Sequence, residues 1–148
     1  MRRKNVVMLV IGILLCCSQV VYGADNKFVS CKTCKKAIEA DMKQFSVVQR
    51  EVAKPLTFND IGCALIYREK QCSSRQMVFD SSTRVFDYND GEELPIDSAY
   101  FVKSDVLKSP AGYNYAAFKD ENSAEAFLKE KGGEKVFSYE DLQMLEWK

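Results

Sequence analysis

Short apolar blocks along the chain switch between the two-residue period of strands and the three-to-four-residue period of helices, with turn residues between them. Phe45 to Val52 and Leu56 to Phe58 have strand patterns. Asp60 then supplies an N-cap for a helix whose buried face carries Ile61, Ala64 and Leu65. Strand patterns return at Gln76 to Asp80 and Val85 to Asp87, on either side of a turn at Ser81-Ser82-Thr83, and Ala99 to Lys103 is a further apolar run. The opening pattern then recurs. Tyr113 to Phe118 predicts a strand, Asp120 to Ser123 a helix start, and Ala124, Phe127 and Leu128 the apolar stripe of a helix that stops at Gly132-Gly133. Phe58-Asn59-Asp60 and Phe118-Lys119-Asp120 stand 60 residues apart in matching strand-to-helix contexts. A last helix opens at Ser138, with Asp141 three residues on as an imperfect capping box, and runs to Trp147. The order is that of an α+β protein with two related β-rich units, roughly 31–90 and 95–148, each packed on one helix.

A different pattern opens the chain. Arg2, Arg3 and Lys4 precede an apolar stretch from Val6 to Cys17 that is short for a membrane span, and Val21-Tyr22-Gly23 forms a small-residue cleavage site. Residues 1–23 therefore read as a secretion signal, with the mature domain over 24–148 in the periplasm or outside the cell. Lipid anchoring at Cys16 or Cys17 is disfavoured, because Leu15 and Cys16 precede them where a small residue is needed. The signal holds three of the 21 basic residues and none of the 21 acidic ones, so the mature chain carries 18 against 21, a net charge of −3. A chain with no basic surplus is a poor partner for nucleic acid.

The chemistry lies in sulfur. The chain has no histidine, which removes imidazole catalysis and nitrogen-rich zinc or Cu(II) sites. Of its six cysteines, four remain beyond the signal: Cys31, Cys34, Cys63 and Cys72. In Cys31-Lys32-Thr33-Cys34 a two-residue spacer lets both thiolates converge on one soft ion, and Cu(I) accepts two or three sulfur donors in linear or trigonal geometry. An oxidising compartment also allows two disulfides, Cys31 to Cys34 and Cys63 to Cys72. A third reading is a dithiol oxidoreductase, although its CxxC motif belongs at the start of a helix that follows a strand, and only residues 24–30 precede this one. Cys63 falls at N3 of the first helix, where the helix dipole lowers a thiol pKa, or else it is a small core residue. Cys72 lies on the opposite side of a continuous helix from Cys63. Met42 and Met77 read as core or surface residues, and Met144 in the last helix as packing, before any of them is a ligand. Asp87, Asp90, Glu92 and Glu93 around Gly91 lack calcium-loop spacing and read as a solvated turn. No nucleophile elbow, phosphate loop or zinc-protease motif is present.

Five motifs in order, Cys31-Lys-Thr-Cys34, Phe58-Asn-Asp-Ile-Gly-Cys63, Ala99-Tyr-Phe-Val102, Ser109-Pro-Ala-Gly112 with Ala117-Phe118, and Gly132-Gly133 before Val136-Phe137-Ser138, resemble the NosL family over nearly all of the mature chain. The resemblance implies two small ββαβ-type units. It implies an extracytoplasmic copper accessory protein rather than an enzyme, which binds Cu(I) and passes it to an apo copper enzyme, nitrous oxide reductase, or to copper-delivery machinery. Cys31 and Cys34 would be the primary thiolates and Cys63 the candidate third donor. Family members commonly carry Gly-Met straight after the second cysteine and a methionine inside a Thr-Pro-Met-Gly motif; this chain has Lys35-Lys36 and Ala111 there. A ligand set that mixes Cys, Met and His therefore does not carry over, and any copper site must lean on thiolates.

Overall fold

The computed structural model describes residues 30–50, 55–71, 79 and 81–147. The expected signal, Cys72, Met77 and most of the Gln76 to Asp80 strand pattern lie outside these residues.

The first unit runs β1 (Val47–Gln49), β2 (Leu56–Phe58), α1 (Ile61–Gln71), β3 (Thr83–Phe86) and β4 (Glu93–Pro95). The second runs β5 (Tyr100–Lys103), β6 (Tyr115–Phe118), α2 (Glu121–Lys131) and β7 (Val136–Phe137), and α3 (Tyr139–Gln143) follows. Strand orders are β2-β1-β3-β4 and β6-β5-β7, antiparallel throughout. In both units the first strand is central and pairs with the second and third. The 60-residue echo is thus a shared ββαβ topology, to which β4 is added in the first unit. The helices are in register too: α1 and α2 each have 11 residues and follow Asp60 and Asp120. Asp60 Oδ1 accepts Gly62 N–H at 3.0 Å and Asp120 Oδ1 accepts Ser123 N–H at 2.7 Å, so each cap satisfies a helix-end amide. Ala64 and Ala124 hold equivalent fully buried positions against their sheets.

One apolar cluster crosses between the units, joining Val47, Phe58, Ile61 and Leu65 to Phe101, Tyr115, Phe137 and Leu142. A second gathers Phe45, Val102, Leu107, Phe118 and Phe127 under α2. Asp87 stitches the sheets together. Its main chain bridges to Ala117, and its buried carboxylate accepts the N–H groups of Asn89 (2.7 Å) and Lys119 (2.8 Å).

The departures from the sequence pattern have local causes. Phe45 belongs to a 3₁₀ turn (Ala40–Phe45), so β1 starts at Val47. Thr83, expected in a turn, is buried and pairs with Gln49. In the expected solvated acidic turn Asp90, Glu92 and Glu93 are exposed, Asp90 pairing with Lys119 and Glu93 with Arg50, and only Asp87 departs, buried on backbone amides. Tyr113 lies before β6, because Asn114 takes a left-handed φ of 60° and breaks the strand. The Ser138 capping box is complete rather than imperfect, with Ser138 N–H on Asp141 Oδ2 at 2.9 Å and Asp141 N–H on Ser138 Oγ at 3.1 Å. However, α3 ends at Gln143, and Trp147 folds back to donate its indole N–H to Leu142 O. Among the described residues no helix is long and apolar enough to cross a membrane.

Candidate metal centre

The CxxC segment is the tip of a hairpin closed by a bridge between Ser30 and Ala37. Cys31 N–H donates to Lys36 O (2.8 Å) and Lys35 N–H to Cys31 O (3.0 Å). This tight turn needs a left-handed residue, and Lys35 fills that place with φ 64°. Two further bonds dock the tip. Lys32 N–H donates to Thr57 O on the free edge of β2 (2.9 Å), and Thr33 Oγ1 donates to Cys63 O in the first turn of α1 (2.7 Å). The oxidoreductase arrangement, a CxxC opening a helix, is therefore not the one present. Nor does the loop stand ahead of the core as its sequence position suggests, because Cys31 is 0% exposed and sits in the main apolar cluster.

Those contacts bring three free thiols together. Cys31, Cys34 and Cys63 have their sulfur atoms within 4.8 Å of one another; Cys63 is buried and Cys34 half-buried. Three thiolates around one ion at a metal–sulfur length of about 2.3 Å, the zinc value, stand about 4 Å apart in a plane, so a small contraction completes the site. The electrostatics are already uneven. Cys31 is held at about 5, chiefly by a hydrogen bond from the Cys63 thiol and further by the backbone N–H groups of Cys34, Asn59 and Thr33, against the opposing effect of burial. Cys63 is pushed up instead, because it donates to Cys31, is buried and faces the neighbouring negative charge. The lowering that the helix dipole predicts for Cys63 thus falls on Cys31, since a direct donor outweighs a partial charge at a helix end.

Loop residues 109–113 form the opposite wall, and Asp60 anchors them. Its Oδ2 accepts Ser109 Oγ–H at 2.5 Å and Ala111 N–H at 3.0 Å, while Oδ1 caps α1. Gly62 lets Tyr113 lie against the helix, for a Cβ at position 62 would come within 2.1 Å of the tyrosine ring. Asn59 completes the surroundings, its Oδ1 accepting the Cys34 S–H at 3.3 Å. Sequence reasoning did not single out Asn59, Ser109 or Tyr113 as parts of the site, although Asn59 and Ser109 stand inside its motifs. Met42 instead lines a neighbouring cleft of about 380 Å³ with Asn59, Lys36 and Pro110. Met144, expected to pack, is 85% exposed.

Residues 26–146 match the NosL family model. The chain belongs to the NosL family. Its fold is similar to the crystal structure of the copper chaperone NosL from Shewanella denitrificans, with a TM-score of 0.59 and 17% identity, over 79% of this chain and 91% of that chain. No curated protein matches the sequence. In this NosL chain the two departures from the family motifs have distinct structural settings. The glycine common at position 35 suits the left-handed backbone that Lys35 adopts at a cost of about 1 kcal/mol. Lys36 is exposed and reaches Pro110 O with its Nζ (3.1 Å), tying the hairpin to the opposite wall, and Ala111 packs against the cluster that holds Cys31 and Cys63.

Proposed function

We propose that this protein is an extracytoplasmic chaperone that carries one Cu(I) on Cys31, Cys34 and Cys63 and passes it to an apo copper enzyme. The NosL resemblance implies nitrous oxide reductase as the acceptor. The observation that carries the reading is the convergence of three free thiols within 4.8 Å in a protein without histidine. Three soft donors and no imidazole favour Cu(I) over Cu(II). Hand-over is ligand exchange: an acceptor donor bonds to Cu(I) as a chaperone thiolate leaves, and the oxidation state of the metal does not change. Cys34, half-buried where Cys31 and Cys63 are buried, is the most accessible member of the set and is where that exchange starts. The expected signal over residues 1–23 supports an export route, and N-terminal sequencing of the exported protein, with Ala24 first, checks it.

Anaerobic competition against a chromophoric Cu(I) chelator tests the cargo. One Cu(I) per chain binds with thiolate-to-copper absorption in the ultraviolet. Because Cys34 donates its S–H to Asn59 and Cys63 is pushed up, both must lose a proton to ligate, and affinity falls by about a hundredfold for each pH unit between about 8 and about 6. Absence of stoichiometric binding, or binding unaffected by pH, defeats the reading. Ala111→Met restores the thioether position of the family. It raises Cu(I) affinity by about tenfold, about 1.4 kcal/mol, in the same titration; an unchanged value would mean that this wall does not face the cargo.

A further inference from the structure

Asn59 is 1% exposed, and its two amide atoms are treated unequally. Oδ1 accepts the Cys34 S–H at 3.3 Å, whereas buried Nδ2 has no hydrogen-bond partner among the described residues. A buried donor left without an acceptor costs about 1–3 kcal/mol, and the ββαβ frame does not demand it. The equivalent position in the second unit, 60 residues on, is Lys119, whose side chain reaches out to Asp90, and the equivalent of Cys63 is Ser123. The buried amide occurs in the unit that carries thiols.

The arrangement suits Cys34 only while it holds its proton. Once Cu(I) replaces that proton, the sulfur is an acceptor and Oδ1 faces it with lone pairs. Rotation of the amide by about 180° exchanges oxygen and nitrogen at nearly constant shape. It presents an N–H to the sulfur and gives the orphaned donor a partner. We propose that Asn59 is a positioning residue for the cargo, whose Oδ1 holds the empty Cys34 thiol and whose Nδ2–H turns to hold the Cu(I)-bound sulfur. The proposal rests on the reading of Cys34 as a Cu(I) ligand. It makes Asn59 the group that offers the half-buried Cys34 sulfur a matched partner both before and after loading, and thereby sets how firmly that sulfur keeps its metal.

The test uses Asn59→Asp, which can accept the thiol proton but cannot donate to the loaded sulfur, and Asn59→Leu, which does neither at similar size. Cu(I) affinity falls by about tenfold in Asn59→Leu and by about a hundredfold in Asn59→Asp, the range of outer-shell losses at metal sites. In wild-type protein labelled with ¹⁵N, the Asn59 side-chain amide resonances shift on Cu(I) loading and the N–H protons exchange more slowly. In Cys34→Ser they do not. The resonance measurement needs no change at Asn59, so a poorly folded variant does not decide the matter. If the wild type binds one Cu(I) while both variants bind as tightly and the amide resonances stay in place, the role of Asn59 is overturned and the copper reading survives. If the wild type binds no Cu(I), both are overturned.

Discussion

Replacing Cys31 and Cys34 together by Ser removes tight Cu(I) binding, with a loss of at least about a thousandfold, or about 4 kcal/mol. Of the three converging thiols only Cys63 remains, and a hydroxyl replaces a thiol without its softness. Cys63→Ser alone costs less, because Cys31 and Cys34 can still hold Cu(I) in linear geometry. The double variant also tests the packing. Cys31 is fully buried in the main apolar cluster and receives backbone N–H groups, so Ser there loses apolar contact but keeps an acceptor, at about 1–2 kcal/mol. Circular dichroism should show a folded, slightly less stable protein. A folded double variant that still competes with the chelator as well as wild type would remove the thiol site from the mechanism.

Asp60→Ala should lower stability by about 3 kcal/mol, read from urea unfolding. One substitution deletes the cap of α1, leaves the Ala111 N–H without its acceptor and removes the shortest bond of the buried Ser109 hydroxyl, which keeps only its contacts with Asn114, and each loss is worth about 1 kcal/mol. Asp60→Asn keeps the shape and one acceptor and should cost less. The two also separate by pH. Burial raises the Asp60 pKa from its ordinary 3.8, against the lowering effect of its hydrogen bonds. A carboxyl raised on folding gives stability that is complete below 3.8 and is lost as pH climbs through the folded value. Wild type should therefore gain on Asp60→Asn as the solution is acidified across that interval; a constant difference would mean that Asp60 titrates as it does in the unfolded chain.

The elements that were legible in the sequence carry their own instructions. Asp60 and Asp120 announce α1 and α2 locally, and β2 and β5 are apolar enough to be seen alone. By contrast β4 holds Pro95 and three residues, β7 holds two, and each exists because a longer neighbour pairs with it. Thr83 looks like a turn residue until Gln49 is placed beside it. The site divides in the same way. The spacing of Cys31 and Cys34 and the N3 place of Cys63 mark three candidates, but their convergence depends on Lys32 with Thr57 and Thr33 with Cys63, bonds between residues 25 and 30 apart that leave no periodic trace. The assignment of the low pKa to Cys31 could not be read from a helix position, because the donor responsible arrives from another element.

The repeated unit has a consequence for how such a protein can change. One backbone plan occurs twice, and the second copy, with Lys119 and Ser123, lacks the thiol and the amide but keeps the cap, the helix and the buried alanine. Folding information and cargo chemistry are therefore written at different positions. A descendant could lose every sulfur and still keep its shape, and a designer could use the second copy as a blank on which to write a new ligand set.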